Sequence, residues 1–483
     1  MRRFHVCLSP DSLERNPELI SLARDTGITT IWLAGFLYGH WYYTPERLGA
    51  AANKIRQVGM GAEVVFVPLG HPGDSLGAKE DEPPLVPPRH WKQCLHADGS
   101  RHWGTSLHAP ATEENAAALA RLNGKGFRTV FLDDDFRLAT GPGRNGGCFC
   151  DDHWQRFAQI HGYGGSVREQ LAGDIQARNL SPQVKAWVDF HCAELSTCFR
   201  ALQASQPQLT LGNMVMFLGA EKAGIRLNDY RDVPFRVGEL MFSDRDFDRV
   251  KGKTDELFSV LFHRRFAKPE LAYSETTAFP ADRLSAANMA AKLAISTLGD
   301  VRNTMLMSGL TPFPPGHWQV LAPAMKRQAA LHAEVGGHEA AGPFKHYWGE
   351  HSRYVGDDRP FSLFLAAGIP FEVCGALPGA GWTFLADADA AGKPRSSGTE
   401  FVTRRDVPET LEDLFAFKRR ILPRLGNVPY IQDSEPAVCC WLPTARRVLI
   451  WNLSAQRRTL TLRQGSRRIP VHTAALELVS IPL

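Results

Sequence analysis

Three consecutive aspartates, Asp133, Asp134 and Asp135, close an apolar run that begins at Phe127. An apolar run of this length, rich in β-branched and aromatic residues and ended by polar ones, predicts a buried strand with carboxylates at its C-terminal end. Because successive strand residues face opposite sides, Asp133 and Asp135 share one side and Asp134 takes the other. Like charges this close favour proton uptake by at least one carboxyl, which suits acid–base chemistry. A single Asp is common in turns and helix caps, but three in a row favour a functional site.

A second acidic strand end is predicted at Glu275, which follows a short apolar run at 271–274. Two carboxylates that flank one bond are the minimum equipment for glycoside hydrolysis. One donates a proton to the leaving oxygen, and the other attacks the sugar carbon or activates a water. A separation of about 5 to 5.5 Å implies retention of configuration, and about 6.5 to 9.5 Å implies inversion. The sequence leaves the choice between these two outcomes open.

Eight strand and helix units must position these carboxylates. Short apolar runs alternate with amphipathic stretches through residues 1–341, a pattern that predicts parallel strands with right-handed crossovers and, at eight units, a (β/α)8 TIM barrel. An open doubly wound sheet is the alternative, but no Gly-rich phosphate fingerprint follows the first strand. The predicted strands are 4–8, 29–36, 63–69, the acidic strand from 127, 209–217, 237–242, 271–274 and 304–307. The predicted helices are 16–26, 45–58, 113–123, a long helical region at 151–206, 254–266, 284–297 and 320–335.

The pattern changes after the barrel. Residues 342–425 predict a small α/β domain of flavodoxin-like type, with strands near 370–375 and 382–386 and a helix at 408–424. Residues 426–483 alternate apolar and polar side chains in short runs, which predicts an antiparallel, β-sandwich-like domain at the C-terminus.

Other predicted substrate contacts lie at strand ends and in long loops, because barrel enzymes build their sites from the C-terminal ends of the strands. Aromatic faces and fixed hydrogen-bonding groups suit a sugar, although packing is the alternative for each aromatic side chain. Besides Asp133 and Asp134, the predicted substrate-binding residues are Tyr38, Trp41, His71, Trp103, Arg137, Asp244 and Trp318.

These motifs resemble those of the glycoside hydrolase family 42 β-galactosidases, which belong to a clan of retaining (β/α)8 glycosidases. The run Asp133-Asp134-Asp135-Phe136 resembles the family's Asp-Asn-Glu-Tyr sequence, and Ser274-Glu275-Thr276-Thr277 resembles its Met-Glu-Asn-Thr-like sequence. The resemblance implies that Asp135 is the acid/base, that Glu275 is the nucleophile, and that Asp134 takes the place of the Asn that contacts the sugar 2-hydroxyl. Asp135 is one methylene shorter than the family's Glu, and the last strand lacks the family's Trp and Arg run. The chain is therefore a divergent relative, to which galactose specificity is not carried over.

A metal site is predicted after the acidic strand. Cys148-x-Cys150-x-x-His153 follows the family's Cys-x-Cys-x-x-Cys outline with His in third place, and thiolates and imidazole at this spacing suit tetrahedral zinc. Cys94 and His108 are the candidates for the fourth ligand, and buried cysteines without metal are the alternative. Any zinc here is structural, and no cofactor is expected for catalysis.

Composition narrows the class of protein. The net charge of +4 is too small to suggest a nucleic-acid partner. No signal peptide and no 18-residue apolar run is found, so the chain is expected in the cytoplasm and not in a membrane. Nine scattered cysteines fit reduced thiols. The family resemblance suggests a homo-oligomer, either a dimer or a trimer.

The leading interpretation is a glycosidase that cleaves a terminal sugar from small oligosaccharides or glycosides, with retention. Two alternatives stay open. One is a metal-dependent lyase or isomerase that acts on a sugar acid, with the aspartates holding the cation. The other is a carbohydrate-binding protein with a vestigial active site.

Overall fold

The computed structural model describes residues 1–69, 88–105, 107–133, 136–138, 145–216, 220–238, 241–391, 393 and 398–483, with the backbone alone for 102–105 and 216. Eight parallel strands lie side by side in the order β1-β8-β7-β6-β5-β4-β3-β2, and pairing of β1 with β2 closes the ring. The predicted (β/α)8 TIM barrel is therefore confirmed. Its strands are β1 (Arg3–Leu8), β2 (Thr30–Leu37), β3 (Gly61–Val67), β4 (Thr129–Leu132), β5 (Thr210–Met216), β6 (Phe235–Gly238), β7 (Ala272–Thr277) and β8 (Asn303–Met307).

The interior of the barrel is packed with side chains at alternate strand positions. One buried apolar cluster lies in the interior. The strand residues between its members face outward, into the larger core shared with the helices. The interior cluster consists of Cys7, Trp32, Val65, Phe131, Tyr273 and Met305.

Eleven α-helices precede the small domain in the part of the chain that the structure describes. They are α1 (Pro10–Arg15), α2 (Glu18–Thr26), α3 (Pro45–Gln57), α4 (Ala111–Gly124), α5 (Asp151–His161), α6 (Gly165–Gln176), α7 (Pro182–Ser205), α8 (Asp244–Phe247), α9 (Val250–Arg264), α10 (Ala286–Leu298) and α11 (Pro315–Val335). The helical region predicted at 151–206 is three helices. Gly162 ends α5 in the left-handed conformation at φ 68°, and Ser181 caps α7 through its side chain just before Pro182.

Two short β elements lie outside the ring order. A two-residue strand, His40–Trp41, turns back onto β2, and the strands Gln93–Leu95 and Arg101–Thr105 pair with each other as a hairpin between β3 and α4. The hairpin falls within the long insertion expected after the third strand.

The second region contains a four-stranded parallel sheet in the order β10-β9-β11-β12. This order places the second strand at the edge beside the first, as flavodoxin-like sheets do. The elements are β9 (Phe344–Tyr347), α12 (Glu350–Tyr354), β10 (Phe371–Cys374), β11 (Gly381–Phe384), α13 (Asp387–Ala390), β12 (Thr399–Val402) and α14 (Leu411–Ile421). Lys222, which follows β5, forms a buried ion pair with Asp358 and so ties this region to the barrel.

Two three-stranded antiparallel sheets form the C-terminal region, as predicted. One has the order β13-β16-β17 and the other β14-β15-β18. Their strands are β13 (Tyr430–Ile431), β14 (Ala437–Leu442), β15 (Arg447–Asn452), β16 (Arg458–Gln464), β17 (Arg467–Thr473) and β18 (Leu478–Pro482). The domain boundaries at 341/342 and 425/426 stay predictions. Among the described helices, none has the length and apolar character needed to cross a membrane.

Candidate active site

In the part of the barrel interior that the structure describes, one arginine contacts two carboxylates. Arg236 lies on β6, Glu275 on β7, and Asp133 directly after β4. The strand register places Arg236 between Met214 of β5 and Tyr273 of β7. Strands from opposite sides of the ring therefore bring their acidic groups to one cation on the barrel axis.

The guanidinium of Arg236 joins the two carboxylates. Its Nη2 contacts Oδ1 of Asp133, and its Nη1 lies 3.1 Å from Oε2 of Glu275. The side chain of Arg236 is fully buried, and those of Asp133 and Glu275 are 6% and 5% exposed. A buried charge is tolerated only when it is paired, so the three groups stabilise one another as a set. Their formal charges sum to one negative charge.

Sulfur atoms and an aromatic face complete the surroundings of the guanidinium. Sδ of Met305 lies 2.8 Å from Nη1 of Arg236, and Sδ of Met214 lies 3.0 Å from Nη2. The Phe131 ring centroid is 5.4 Å from the guanidinium carbon. Thioethers are weak acceptors and an aromatic face attracts a cation, so this shell holds the arginine in place while excluding water.

The other oxygen of Glu275 is also held. Oγ1 of Thr277, two residues further along β7, donates to Oε1 of Glu275 at 2.6 Å. The two carboxylate oxygens therefore have different partners, a cation on Oε2 and a hydroxyl on Oε1. Such fixed hydrogen bonds set the orientation of a carboxylate.

A neutral polar layer lies deeper in the barrel. Nε1 of Trp32 donates to Nδ1 of His5 at 3.3 Å, and Nε2 of His5 lies 3.4 Å from Oδ1 of Asn303. Burial lowers the pKa of His5 to about 3. The imidazole is therefore neutral at physiological pH, and the bond from Trp32 places its proton on Nε2.

Several predicted site residues fall outside the described part of the chain. These are His71, Asp134 and Asp135, together with the side chain of Trp103. The roles of Asp135 as acid/base and of the other three as substrate contacts stay predictions. Asp133 is described, and its backbone N donates to the Phe66 carbonyl at 2.7 Å, which extends the pairing of β4 with β3.

Two predicted aromatic contacts lie at the end of β2. Tyr38 is buried, has a positive φ of 51°, and donates its backbone N–H to the Val67 carbonyl at 3.0 Å. Trp41 is half-buried, with its ring centroid 5.3 Å from that of Phe36 and 4.9 Å from the guanidinium carbon of Arg121 on α4. The ring contacts account for the side chain of Trp41, and the roles of both residues toward a sugar stay predictions.

Three further predicted contacts have structural partners. Oδ1 of Asp244 accepts from the backbone N of Ser285 at 2.7 Å and from Nδ2 of Asn288 at 2.8 Å, so it binds the N-terminus of α10. Trp318 on α11 is buried in the main core, and Arg137 is buried in the segment that leaves β4. The structure thus brings Asp133 and Glu275 to the guanidinium of Arg236, but it does not bring Asp244 or Trp318 to that guanidinium.

Sequence reasoning missed Arg236 and Thr277. The sixth strand was expected to begin at Val237, whereas β6 begins at Phe235 and includes the arginine. The alternation Phe235-Arg236-Val237 carries the signal, because apolar neighbours that face the helices force the residue between them into the barrel. An arginine at such a position needs a buried acidic partner.

A second cluster of reactive side chains lies beside α5. Sγ of Cys150 is 3.3 Å from Nε2 of His108 and 3.2 Å from Nδ1 of His153, and the three donor atoms all lie within 4.8 Å of one another. In a tetrahedral zinc site with ordinary bond lengths, neighbouring donor atoms are separated by about 3.5 Å. Burial lowers the pKa of His153 to about 4, which leaves the imidazole in the neutral form that binds metals. The donor set therefore fits zinc.

Two more thiols adjoin this cluster. Cys148 interacts with Cys150 on one side and with Cys94 on the other. Of the predicted set, Cys150 and His153 belong to the close trio, and His108 joins them from the segment before α4. Cys148 and Cys94 are the neighbouring candidates for the fourth ligand.

Solved structures of β-galactosidases share this fold over nearly their whole length. An enzyme from the Antarctic haloarchaeon Halorubrum lacusprofundi is 11% identical with a TM-score of 0.62, over 99% of each chain. A cold-adapted enzyme from Rahnella sp. R3 is 10% identical with a TM-score of 0.61, over 99% of this chain and 98% of that one. A glycoside hydrolase family 42 enzyme from G. stearothermophilus is 9% identical with a TM-score of 0.60, over 99% and 98%.

At these identities the likeness shows the fold alone. The resemblance to family 42 enzymes is confirmed at that level. No protein-family model matches the sequence, and no curated protein matches it.

Proposed function

We propose that this protein is a glycoside hydrolase that removes a terminal sugar from small oligosaccharides or glycosides with retention of configuration. One observation carries the proposal: carboxylates from β4 and β7, on opposite sides of the barrel, meet at a single guanidinium inside it. Glycoside hydrolysis needs two carboxylates at the C-terminal ends of barrel strands, and the observed contacts bring Glu275 to the same guanidinium as Asp133, two residues before the proposed acid Asp135. The fold shared with β-galactosidases supports the same class of reaction.

Glu275 is the proposed nucleophile. Its oxygens are oriented by Arg236 and Thr277, and its carboxylate attacks the anomeric carbon while the bond to the leaving oxygen breaks. Asp135, two residues beyond Asp133, is the proposed acid that protonates that oxygen. In the second half of the reaction, Asp135 takes a proton from water, the water attacks the anomeric carbon, and Glu275 leaves as a carboxylate.

The zinc ion is proposed as a structural partner of His108, Cys150 and His153, with Cys148 or Cys94 as the fourth ligand. It would tie the segment before α4 to the start of α5 and supply no step of the reaction. Catalysis itself is proposed to need no cofactor, and a homo-oligomer is the proposed assembly, in keeping with the family resemblance.

A panel of aryl glycosides tests the function. Pyranosides and furanosides of both anomeric configurations are assayed with the parent protein, Asp135→Asn and Glu275→Gln, with Asp244→Asn as a matched control because Asp244 binds the N-terminus of α10 instead. We expect hydrolysis of at least one glycoside. Loss of about 10²- to 10⁴-fold is expected in Asp135→Asn, and about 10³-fold or more in Glu275→Gln. A detected hydrolysis that neither substitution affects would refute the assignment.

The same panel separates the alternatives. A sugar-acid lyase or isomerase that holds a catalytic cation would lose its activity to a chelator, whereas the proposed glycosidase keeps its turnover. A vestigial carbohydrate-binding protein would bind sugars without turnover in the parent. Affinity retained in Glu275→Ala, with no hydrolysis by the parent, would support that reading against the proposal.

A further inference from the structure

The guanidinium of Arg236 contacts two buried carboxylates at once. Asp133 contacts Nη2 and Glu275 lies 3.1 Å from Nη1, so the two acidic groups occupy neighbouring nitrogens of one cation. Two neighbouring buried carboxylates without such a cation tend to share a proton, because burial and like charge both disfavour ionisation of the second group. A nucleophilic carboxylate must be the ionised one.

We propose that Arg236 is a positioning residue that keeps Glu275 anionic by neutralising Asp133, and that it fixes the orientation of the Glu275 carboxylate through Oε2. The inference deepens the proposed glycosidase function and rests on it where hydrolysis is the readout. Arg236 is fully buried and does not itself touch the sugar in this role. Its effect is transmitted through Glu275.

The other titratable groups around Arg236 do not supply compensating charge. Burial raises the pKa of the Cys7 thiol on β1 to about 12 and also raises the pKa of the Tyr273 phenol on β7, while His5 is neutral as described above. The remaining inward side chains of the described interior are uncharged: Trp32 on β2, Val65 on β3, Phe131 on β4, Met214 on β5 and Met305 on β8. Within this described shell, Arg236 is the cation that both carboxylates share, and one net negative charge remains.

The effect of a substitution at Asp133 separates two roles of Arg236, the filling of volume and the balancing of charge. If Arg236 only filled volume, Met, which has a similar length, would replace it. Asp133→Asn would then have the same effect in the parent and in Arg236→Met. If it balances charge, Arg236→Met leaves Asp133 and Glu275 to compete for one proton, and Asp133→Asn removes the competitor. The double variant therefore separates the two roles.

The first experiment measures the pH profile of kcat/KM on the best aryl glycoside of the panel. In Arg236→Met we expect the acidic limb to move to higher pH by at least about one unit, with lower kcat/KM at pH 7. In Arg236→Met/Asp133→Asn we expect the limb to return most of the way to the parent position. Arg236→Lys, which keeps the charge, should keep a limb close to that of the parent. An unmoved limb in Arg236→Met, or a moved limb that Asp133→Asn does not restore, would overturn the proposal.

The second experiment needs no activity and measures the midpoint of thermal unfolding from pH 5 to pH 8. In folded Arg236→Met the carboxylate pair holds a proton, whereas the same carboxyls are ionised in the unfolded chain. The folded state of this variant therefore loses stability relative to the unfolded state as pH rises. Relative to the parent, we expect the midpoint of unfolding of Arg236→Met to be lowered most at pH 8 and least at pH 5. Asp133→Asn should remove that pH dependence.

The hydrolysis assay and the stability series test the proposed function and the role of Arg236 separately. A parent protein that hydrolyses no glycoside would refute the proposed function, while the stability series would still decide the role of Arg236. An active parent with a pH-independent deficit in Arg236→Met would refute the role of Arg236 alone. If Arg236→Met folds only at low pH, or folds only with Asp133→Asn, the proposal is supported. Failure of both variants to fold at every pH would assign Arg236 to packing and overturn it.

Discussion

Arg236 and Glu275 contact each other from neighbouring strands, with Nη1 of the arginine 3.1 Å from Oε2 of the glutamate. The register pairs Arg236 with Tyr273, so Glu275 lies two residues further along β7 and meets the arginine on the diagonal. The carboxylate is thus held from below by the guanidinium on Oε2, and Thr277, two residues further along β7, donates to Oε1 from the side of the barrel mouth.

Removing the hydroxyl next to Glu275 should slow the reaction without unfolding the protein. Thr277→Val deletes the 2.6 Å bond to Oε1. Hydrogen bonds to charged groups contribute about 1.5–3 kcal/mol, so we expect kcat/KM to fall by about tenfold to a hundredfold. Steady-state kinetics on an aryl glycoside measure the change.

The adjacent residue provides the matched control. Thr276 faces away from the barrel axis, is fully buried, and its hydroxyl has no hydrogen-bond partner among the described residues. Thr276→Val should therefore leave kcat/KM near the parent value and keep or raise the unfolding temperature. Equal kinetic losses in the two variants would show that the hydroxyl of Thr277 has no special role.

A buried ion pair next to the sixth strand should dominate local stability. Lys292 lies 2.9 Å from Oε1 of Glu256, and both side chains are fully buried. The pair also binds the segment after β6, because Met241 donates its backbone N–H to Glu256 at 2.9 Å and accepts from Lys292 at 2.8 Å. Lys292→Met leaves a buried unpaired carboxylate, and we expect a loss of about 3–5 kcal/mol in urea unfolding.

Neutralising the partner should restore part of that loss. Lys292→Met/Glu256→Gln removes the unpaired charge, and we expect it to be more stable than Lys292→Met alone. A double variant that is less stable than the single one would contradict a charge-based explanation.

Acid should destabilise the protein through a histidine that is buried between the barrel and the small domain. The His346 ring packs 4.2 Å from Phe258, measured between centroids, and neither nitrogen has a hydrogen-bond partner among the described residues. Burial holds its pKa well below the usual value. The unfolded chain therefore takes up a proton that the folded chain does not, and stability falls as pH drops below about 6.5.

His346→Phe isolates this contribution. The aromatic packing is kept while the titration is removed, so the free energy of unfolding should fall less steeply between pH 6.5 and pH 5, by about 1.4 kcal/mol per pH unit. Urea unfolding at several pH values measures the slope. A slope equal to that of the parent would place the acid sensitivity elsewhere, for example at His5 or His191, whose pKa values burial also lowers.

Zinc should be bound tightly enough to remain through purification. We expect about one zinc ion per chain by elemental analysis, with loss of the metal in Cys150→Ser and in His153→Ala and retention in Cys198→Ser, whose thiol lies on α7 apart from the cluster. A chelator should lower the unfolding temperature without stopping turnover in the folded enzyme. Metal-free protein with the unfolding temperature of the zinc-loaded form would contradict the site.

The fold followed from the sequence because the barrel depends on a repeated pattern. Most of its strands are apolar runs bounded by polar residues, and this signal survives errors of two or three residues at each end. Such an error at β6 hid Arg236, because a lone arginine reads as a strand boundary when the burial of its partners is unknown. The ion pairs themselves depend on strand register across the ring, which the sequence does not encode locally.

The site was predicted in part for the same reason. Asp133 and Glu275 were found because each follows an apolar run, although Glu275 lies within β7, two residues before its end, whereas the contacts of Asp244 and Trp41 depend on neighbours distant in sequence, Ser285 and Arg121. A strand-end position does not decide whether a carboxylate turns toward the pocket or binds the start of a helix. Only the packing of the helices settles that choice.

Trapping of the glycosyl-enzyme tests the central claim most directly. The parent is incubated with a 2-deoxy-2-fluoro glycoside, carrying a good leaving group, of the sugar that the panel identifies, and the mass of the protein and its peptides is measured. We predict stoichiometric release of the leaving group and a mass increase on the peptide that contains Glu275, absent from Glu275→Gln. A label on another residue, or hydrolysis of the parent glycoside with no label at all, would contradict a retaining mechanism with Glu275 as the nucleophile.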